Sequence, residues 1–146
     1  MAGRITSPCV GVCSTTVGDN VCRGCQRTSD EILDWFGMTA MQREQRMEQL
    51  DAMREHVAGR FFSVVNSELL NEQLKRHRIR VRQNQPPLSC VVELLRTGRQ
   101  QMRDLSCYGL VAHQSGSIVF LYEQLCVALA DAADARCRAA ENHFNL

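Results

Sequence analysis

The chain has 146 residues, 45% of them hydrophobic and 23% charged, with a net charge of +1. These are values of a globular chain with a core, and they exclude wholesale disorder. They also exclude a global pull toward nucleic acid or anionic membrane, so any such attraction must come from a local patch; aromatic residues, at 5%, offer few parts for a base-stacking surface.

The opening residues, "MAGRITSPCVGVC", lack the apolar run of a secretory signal. No stretch is apolar over the thickness of a bilayer; the best, Ile118 to Ala130, is interrupted by Glu123 and Gln124. The expected location is cytoplasmic, with no membrane partner. Thiols stay reduced there, so crowded cysteines point to metal binding or chemistry before disulfides.

Four of the eight cysteines fall in residues 9–25, spaced Cys9-x3-Cys13-x8-Cys22-x2-Cys25. A closed tetrahedral site needs four soft donors about 2.3 Å from one ion, and two short cysteine pairs supply them as facing turns. Gly11 and Gly24, one inside each turn, can take positive φ and aim backbone amides at sulfur. Arg23 and Arg27 stand close enough in sequence to offset thiolate charge. A redox dithiol at Cys22 and Cys25 alone is disfavoured, because no βαβ pattern surrounds it.

After the cysteines, Thr28 with Glu31 forms a capping box, and Ile32, Leu33, Trp35 and Phe36 give the short helix that follows an apolar side. Trp35 and Phe36 are expected to pack it onto the metal knuckle, and Gly37 suits its end. Thr39 with Gln42 opens a second helix to about His56, with Met47, Leu50, Met53 and Val57 at helical spacing and Gly59 as terminator.

At this point the segment "SPCVGVC…VCRGCQRTSDEILDW", followed by a helix rich in Met, Gln, Arg and Glu, resembles the bacterial domain-of-unknown-function family 1289. The resemblance runs over residues 7–61. It implies a small protein with a four-cysteine iron–sulfur centre and no assigned activity, and it is silent on residues 62–146.

Residues 60–83 are ambiguous. A helix is expected from Ser67 to about His77, while Arg78-Ile79-Arg80-Val81-Arg82 alternates with period two, as an exposed strand would. The run Lys75, Arg76, Arg78, Arg80 and Arg82, with His77 among them, is a candidate contact for nucleic acid or a protein partner. The competing reading is a solvated arginine face, and nucleic acid is not the favoured partner. Pro86 and Pro87 break the chain. A helix over Leu88 to Leu105 follows, with Gly98 its weak point. A glycine- and serine-containing loop then leads to a last helix over Ser117 to Asn142, apolar over much of its surface and expected to pack centrally.

Cys90, Cys107, Cys126 and Cys137 are expected as small core hydrophobes. His56, His77, His113 and His143 show no ligand spacing, and no nucleophile–base pair or phosphate-cradling loop is evident, so a self-contained enzyme is not expected. The expected architecture is mainly α: a four-cysteine knuckle, then a helical bundle, with little or no sheet. Its parts are a metal module at 7–61, a basic connector at 62–83 and a helical extension at 84–146.

Two functions compete. One is a redox or electron-transfer accessory protein carrying an iron–sulfur cluster and serving a protein partner. The other is a structural zinc-knuckle adapter that docks a protein or nucleic acid through its arginine-rich segment. Four cysteines serve either metal; the absence of ferredoxin-type runs favours zinc, and the resemblance implies the cluster.

Overall fold

Thr28 begins the first regular element of the computed structural model, which describes residue 22 and residues 25–144, with the side chains of residues 29 and 140–144 left aside. Thr28 Oγ1 accepts from the Glu31 amide at 3.1 Å, and Glu31 Oε1 accepts from the Thr28 amide at 3.0 Å. This capping box starts helix α1, Ser29–Asp34, which tightens into a 3-10 turn at Trp35–Gly37. The Arg43 guanidinium donates to the Trp35 and Phe36 carbonyls at 2.8 and 3.1 Å, adding to the Met38 amide that the Trp35 carbonyl accepts as the turn closes. A second capping box, Thr39 with Gln42, starts α2, Ala40–Ala58.

The remaining elements are β1 (Phe62–Val64), α3 (Ser67–Arg76), α4 (Pro87–Gly98), a 3-10 turn (Leu105–Tyr108), β2 (Leu110–Ala112) and α5 (Ile118–Phe144). The described chain is therefore mainly helical, as expected, with one small sheet. In it β1 and β2 pair antiparallel, Phe62 opposite Ala112 and Val64 opposite Leu110. The chain divides into two compact units. One holds the described residues up to Met53 together with those from Ala128; the other is Arg54–Val127.

In the first unit, Trp35, Met47 and Leu50 form a buried cluster, with Met38 and Met53 packed against it. In the second, Val91, Leu94 and Leu95 of α4, Phe62 of β1, Leu110 of β2, Leu70 and Leu74 of α3, and Leu121 and Leu125 of α5 are buried. Among the described residues no helix is long and apolar enough to cross a membrane.

Several expectations are corrected. The fourth helix stops at Gly98, well short of Leu105, because its weakest helix former becomes its end; the Gln101 and Met102 amides turn back onto the Gly98 carbonyl. The alternating arginines form no strand, and the sheet lies instead at Phe62–Val64 and Leu110–Ala112. Helix α5 buries one stripe, Leu121, Leu125, Leu129 and Ala133, while Val119, Phe120 and Val127 are exposed. Cys90 is buried as expected, Cys137 is half-buried, and Cys107 and Cys126 are exposed.

Helix α3 ends by geometry that its sequence does not advertise. The Arg78 amide bonds the Lys75 carbonyl and the Ile79 amide bonds the Leu74 carbonyl, at 3.1 and 2.9 Å. This is a Schellman turn, whose left-handed position usually takes glycine. Here that position is Arg78, with φ +54°. In contrast, Gly109 (φ +73°) is a glycine of necessity, since a Cβ there would meet the Asn66 carbonyl oxygen. The two sites predict opposite signs. Arg78→Gly stabilises the fold by about 0.5–1 kcal/mol by relieving left-handed strain. Gly109→Ala destabilises it by about 2 kcal/mol or more. Urea denaturation of the two variants beside the parent measures both.

Candidate metal centre

Of the four expected ligands, Cys22 and Cys25 are described; Cys9 and Cys13, and the neighbours Gly11, Arg23 and Gly24, lie outside the described residues. Cys22 and Cys25 are 2% and 1% exposed. The backbone around them closes on itself: the Cys22 amide donates to the Arg27 carbonyl and the Gln26 amide to the Cys22 carbonyl, both at 2.8 Å. Gln26, buried, sits at φ +64°. Among the described residues of this turn, the left-handed one is therefore the residue after Cys25. Nothing in the sequence marks it, because glutamine seldom adopts that conformation.

Arg27 lies directly against the cysteine pair. Its side chain is buried, and Nε donates to Cys25 Sγ at 3.3 Å. The same guanidinium lies over the Trp35 ring, 5.0 Å from its centroid, a cation–π contact that ties the turn of Cys22 and Cys25 to the core of the first unit. Burial pushes the Cys25 thiol above its ordinary value, against the lowering effect of hydrogen bonds from the Arg27 side chain and backbone and of the Arg27 charge. The nearby Cys22 sulfur adds to the upward push. Trp35 is buried as expected, but Phe36 is 85% exposed. The 3-10 turn carries these adjacent side chains in different directions, and only one of them reaches the core.

The donor chemistry fits a metal centre. Two soft sulfur donors are held together out of water, with an N–H donor aimed at one of them, the environment a metal-bound thiolate takes. Among the described residues no three cysteine, histidine or acidic side chains come together as a ligand set; of the four expected ligands, the pair described is Cys22 and Cys25.

Glu31 anchors the element that follows. Arg136 of α5 grips its carboxylate through two bonds, Nη1 to Oε1 at 2.6 Å and Nη2 to Oε2 at 2.7 Å, and also reaches Gln49 Oε1 at 2.9 Å. Arg46 Nε approaches Oε2 at 3.3 Å. The capping-box glutamate is thus also the centre of a bidentate ion pair, a strong and directional arrangement. No sequence signal joins residues 31 and 136, which lie 105 positions apart.

The basic run falls in the second unit, away from the cysteines in sequence. Lys75 and Arg76 close α3, Arg78 follows its cap, and Arg80 and Arg82 lie on the connection to α4. One pairing has no sequence signal: Ser63 Oγ and His113 Nε2, fifty positions apart, are hydrogen-bonded on the exposed side of the two-stranded sheet. No carboxylate is bonded to His113 among the described residues, so the orienting group of a catalytic triad is not part of this pair. His77 bonds Gln73 Oε1 at 3.1 Å.

In comparison with known proteins, residues 7–54 match the model of the family described as protein of unknown function (DUF1289). The match stops a little before the residue 61 expected from the resemblance and leaves residues 55–146 outside it. No curated protein and no solved structure matches the chain.

The Glu31 cluster generates a pH prediction. Burial would raise the Glu31 pKa, but the hydrogen bonds from Arg136 and Thr28 and the charges of Arg136 and Arg46 outweigh it, holding the carboxyl below its ordinary 4.5. The cluster's stabilisation is therefore complete above about pH 4.5 and is lost as pH falls through the lowered value. Glu31→Gln should cost about 2 kcal/mol at pH 7. Melting temperatures of parent and variant should then converge as pH is lowered from 5 to 3; a gap constant with pH would contradict this.

Proposed function

We propose that Cys9, Cys13, Cys22 and Cys25 hold one metal centre, and that the chain is a non-catalytic accessory protein built around it. The observation that supports this most is the Arg27 Nε donor on the buried Cys25 sulfur. Burial alone keeps a thiol protonated; a metal ion held by several thiolates at once displaces those protons to solvent. The Arg27 guanidinium then faces a thiolate and offsets part of the negative charge that four cysteines bring together.

In the first reading the centre is an iron–sulfur cluster, as the family resemblance implies, and the chain passes electrons to or from a protein partner. A bound cluster would supply one-electron redox chemistry. What the chain's own residues do is bind it, exclude water with Gln26, Arg27 and Trp35, and direct a donor at one sulfur, which shifts a cluster's potential upward. The second reading is a structural zinc ion in an adapter. It is supported by the near-complete burial of Cys22 and Cys25 and by paired short spacings without a ferredoxin run.

Metal and sulfide analysis with an absorption spectrum, on full-length protein isolated without oxygen, separates the readings. Iron with acid-labile sulfide and a brown colour supports the cluster; colourless protein with one zinc supports the adapter. Protein isolated with neither metal, and unable to take up either, overturns the proposal.

The centre should also carry the first unit's stability. Structural metal binding contributes on the order of 10 kcal/mol in small cysteine sites. Cys22→Ser should therefore abolish metal retention and open the chain around Trp35 to proteolysis, while residues 54–127 stay resistant. Unchanged protection at Trp35 after metal loss would contradict this.

A further inference from the structure

Charge is distributed in this chain by structural unit and not by sequence half. Residues 1–83 hold twelve basic and ten acidic side chains, and residues 84–146 hold five and six, which reveals nothing. The unit Arg54–Val127 holds ten basic and six acidic residues, a net +4, against seven and ten, a net −3, in the rest of the chain. Within that unit the charges are also unequally employed. Glu93 is taken by Arg54 at 3.8 Å and Arg96 at 2.9 Å, whereas Lys75, Arg76 and Arg78 are exposed and make no ion pair among the described residues.

The helix dipole accounts for part of this, since cations are favoured in the last turn of α3, where Lys75 and Arg76 stand. It does not account for Arg78, which lies past the helix end in a left-handed conformation better suited to glycine. Strain kept at an exposed, charged position points to a use for that side chain. Beside it, the His77 ring stands against Tyr108, with centroids 6.1 Å apart and planes tilted by 35°. The same small surface therefore offers exposed cations and two rings.

We propose that the surface of Lys75, Arg76, His77, Arg78 and Tyr108, extended by Arg80, binds single-stranded nucleic acid. The cations neutralise phosphates, and the rings give bases a face on which to stack. An acidic protein would use the cations but has no need of the rings. The proposal does not depend on the metal centre.

The test is fluorescence anisotropy of a short labelled single-stranded RNA with the full-length, metal-loaded protein over a range of salt, with polyglutamate as the competing anion. Binding is expected at low salt and should fall steeply as salt rises. The triple variant Lys75→Gln, Arg76→Gln, Arg78→Gln should weaken it at least about tenfold and lower the salt slope by about 2, at roughly 0.7 per lost phosphate contact on a single strand. His77→Ala should weaken RNA binding about fivefold or more without changing competition by polyglutamate. Arg78→Gly, which the fold should welcome, gives a single-charge variant should the triple fail to fold. No binding at the lowest salt, binding that none of these variants changes, or polyglutamate binding of equal strength with no effect of His77→Ala would each overturn the proposal, the last in favour of an acidic protein partner.

Discussion

One buried guanidinium joins the cysteine turn to the core of its unit. Arg27 donates from Nε to Cys25 Sγ and lies over the Trp35 ring. A buried arginine is costly unless its charge is met; here Nε is hydrogen-bonded to sulfur and the guanidinium lies on the ring's electron-rich face. Trp35 in turn packs with Met47 and Leu50, so the position of α2 and the electrostatics of the cysteine pair depend on one side chain. Replacing Arg27 by lysine would not reproduce this, because a point charge cannot serve a sulfur and a ring face in the same way as a planar group.

The next residues extend the same construction. Thr28 and Glu31 start α1, and Glu31 then receives Arg136 from α5. A residue type chosen for helix capping thereby fixes a segment far along the chain, and residues outside the family match become part of the unit that contains it. The second unit is organised differently. It has an apolar interior drawn from α3, α4, the first turns of α5 and a two-stranded sheet, and it carries a net positive charge.

How far the sequence could be read follows from the range of the interactions involved. Both capping boxes were legible, because Thr28–Glu31 and Thr39–Gln42 act over three residues. Met47, Leu50 and Val57 were legible as core through helical periodicity. The strands were not: Phe62–Val64 and Leu110–Ala112 are each three residues long, and their pairing depends on partners about fifty positions apart. Gly98 was recognised as weak, but whether a weak point is tolerated or becomes an end is decided by the chain beyond it. Around the cysteine pair, the contact of Arg27 with Cys25 was legible from their nearness in sequence. The left-handed Gln26 was not, nor the contrast between buried Trp35 and exposed Phe36, since both depend on how the turn closes in three dimensions.

The central claim is that the buried Cys22–Cys25 pair is half of one four-thiolate centre. X-ray absorption at the metal edge of the intact, metal-loaded protein tests it most directly, because it counts the ligands around the ion. The account predicts a shell made of sulfur at about 2.3 Å, with the cysteine sulfurs lost from it in Cys22→Ser and Cys25→Ser alike. A shell of nitrogen and oxygen, or a sulfur shell that neither substitution changes, would contradict it.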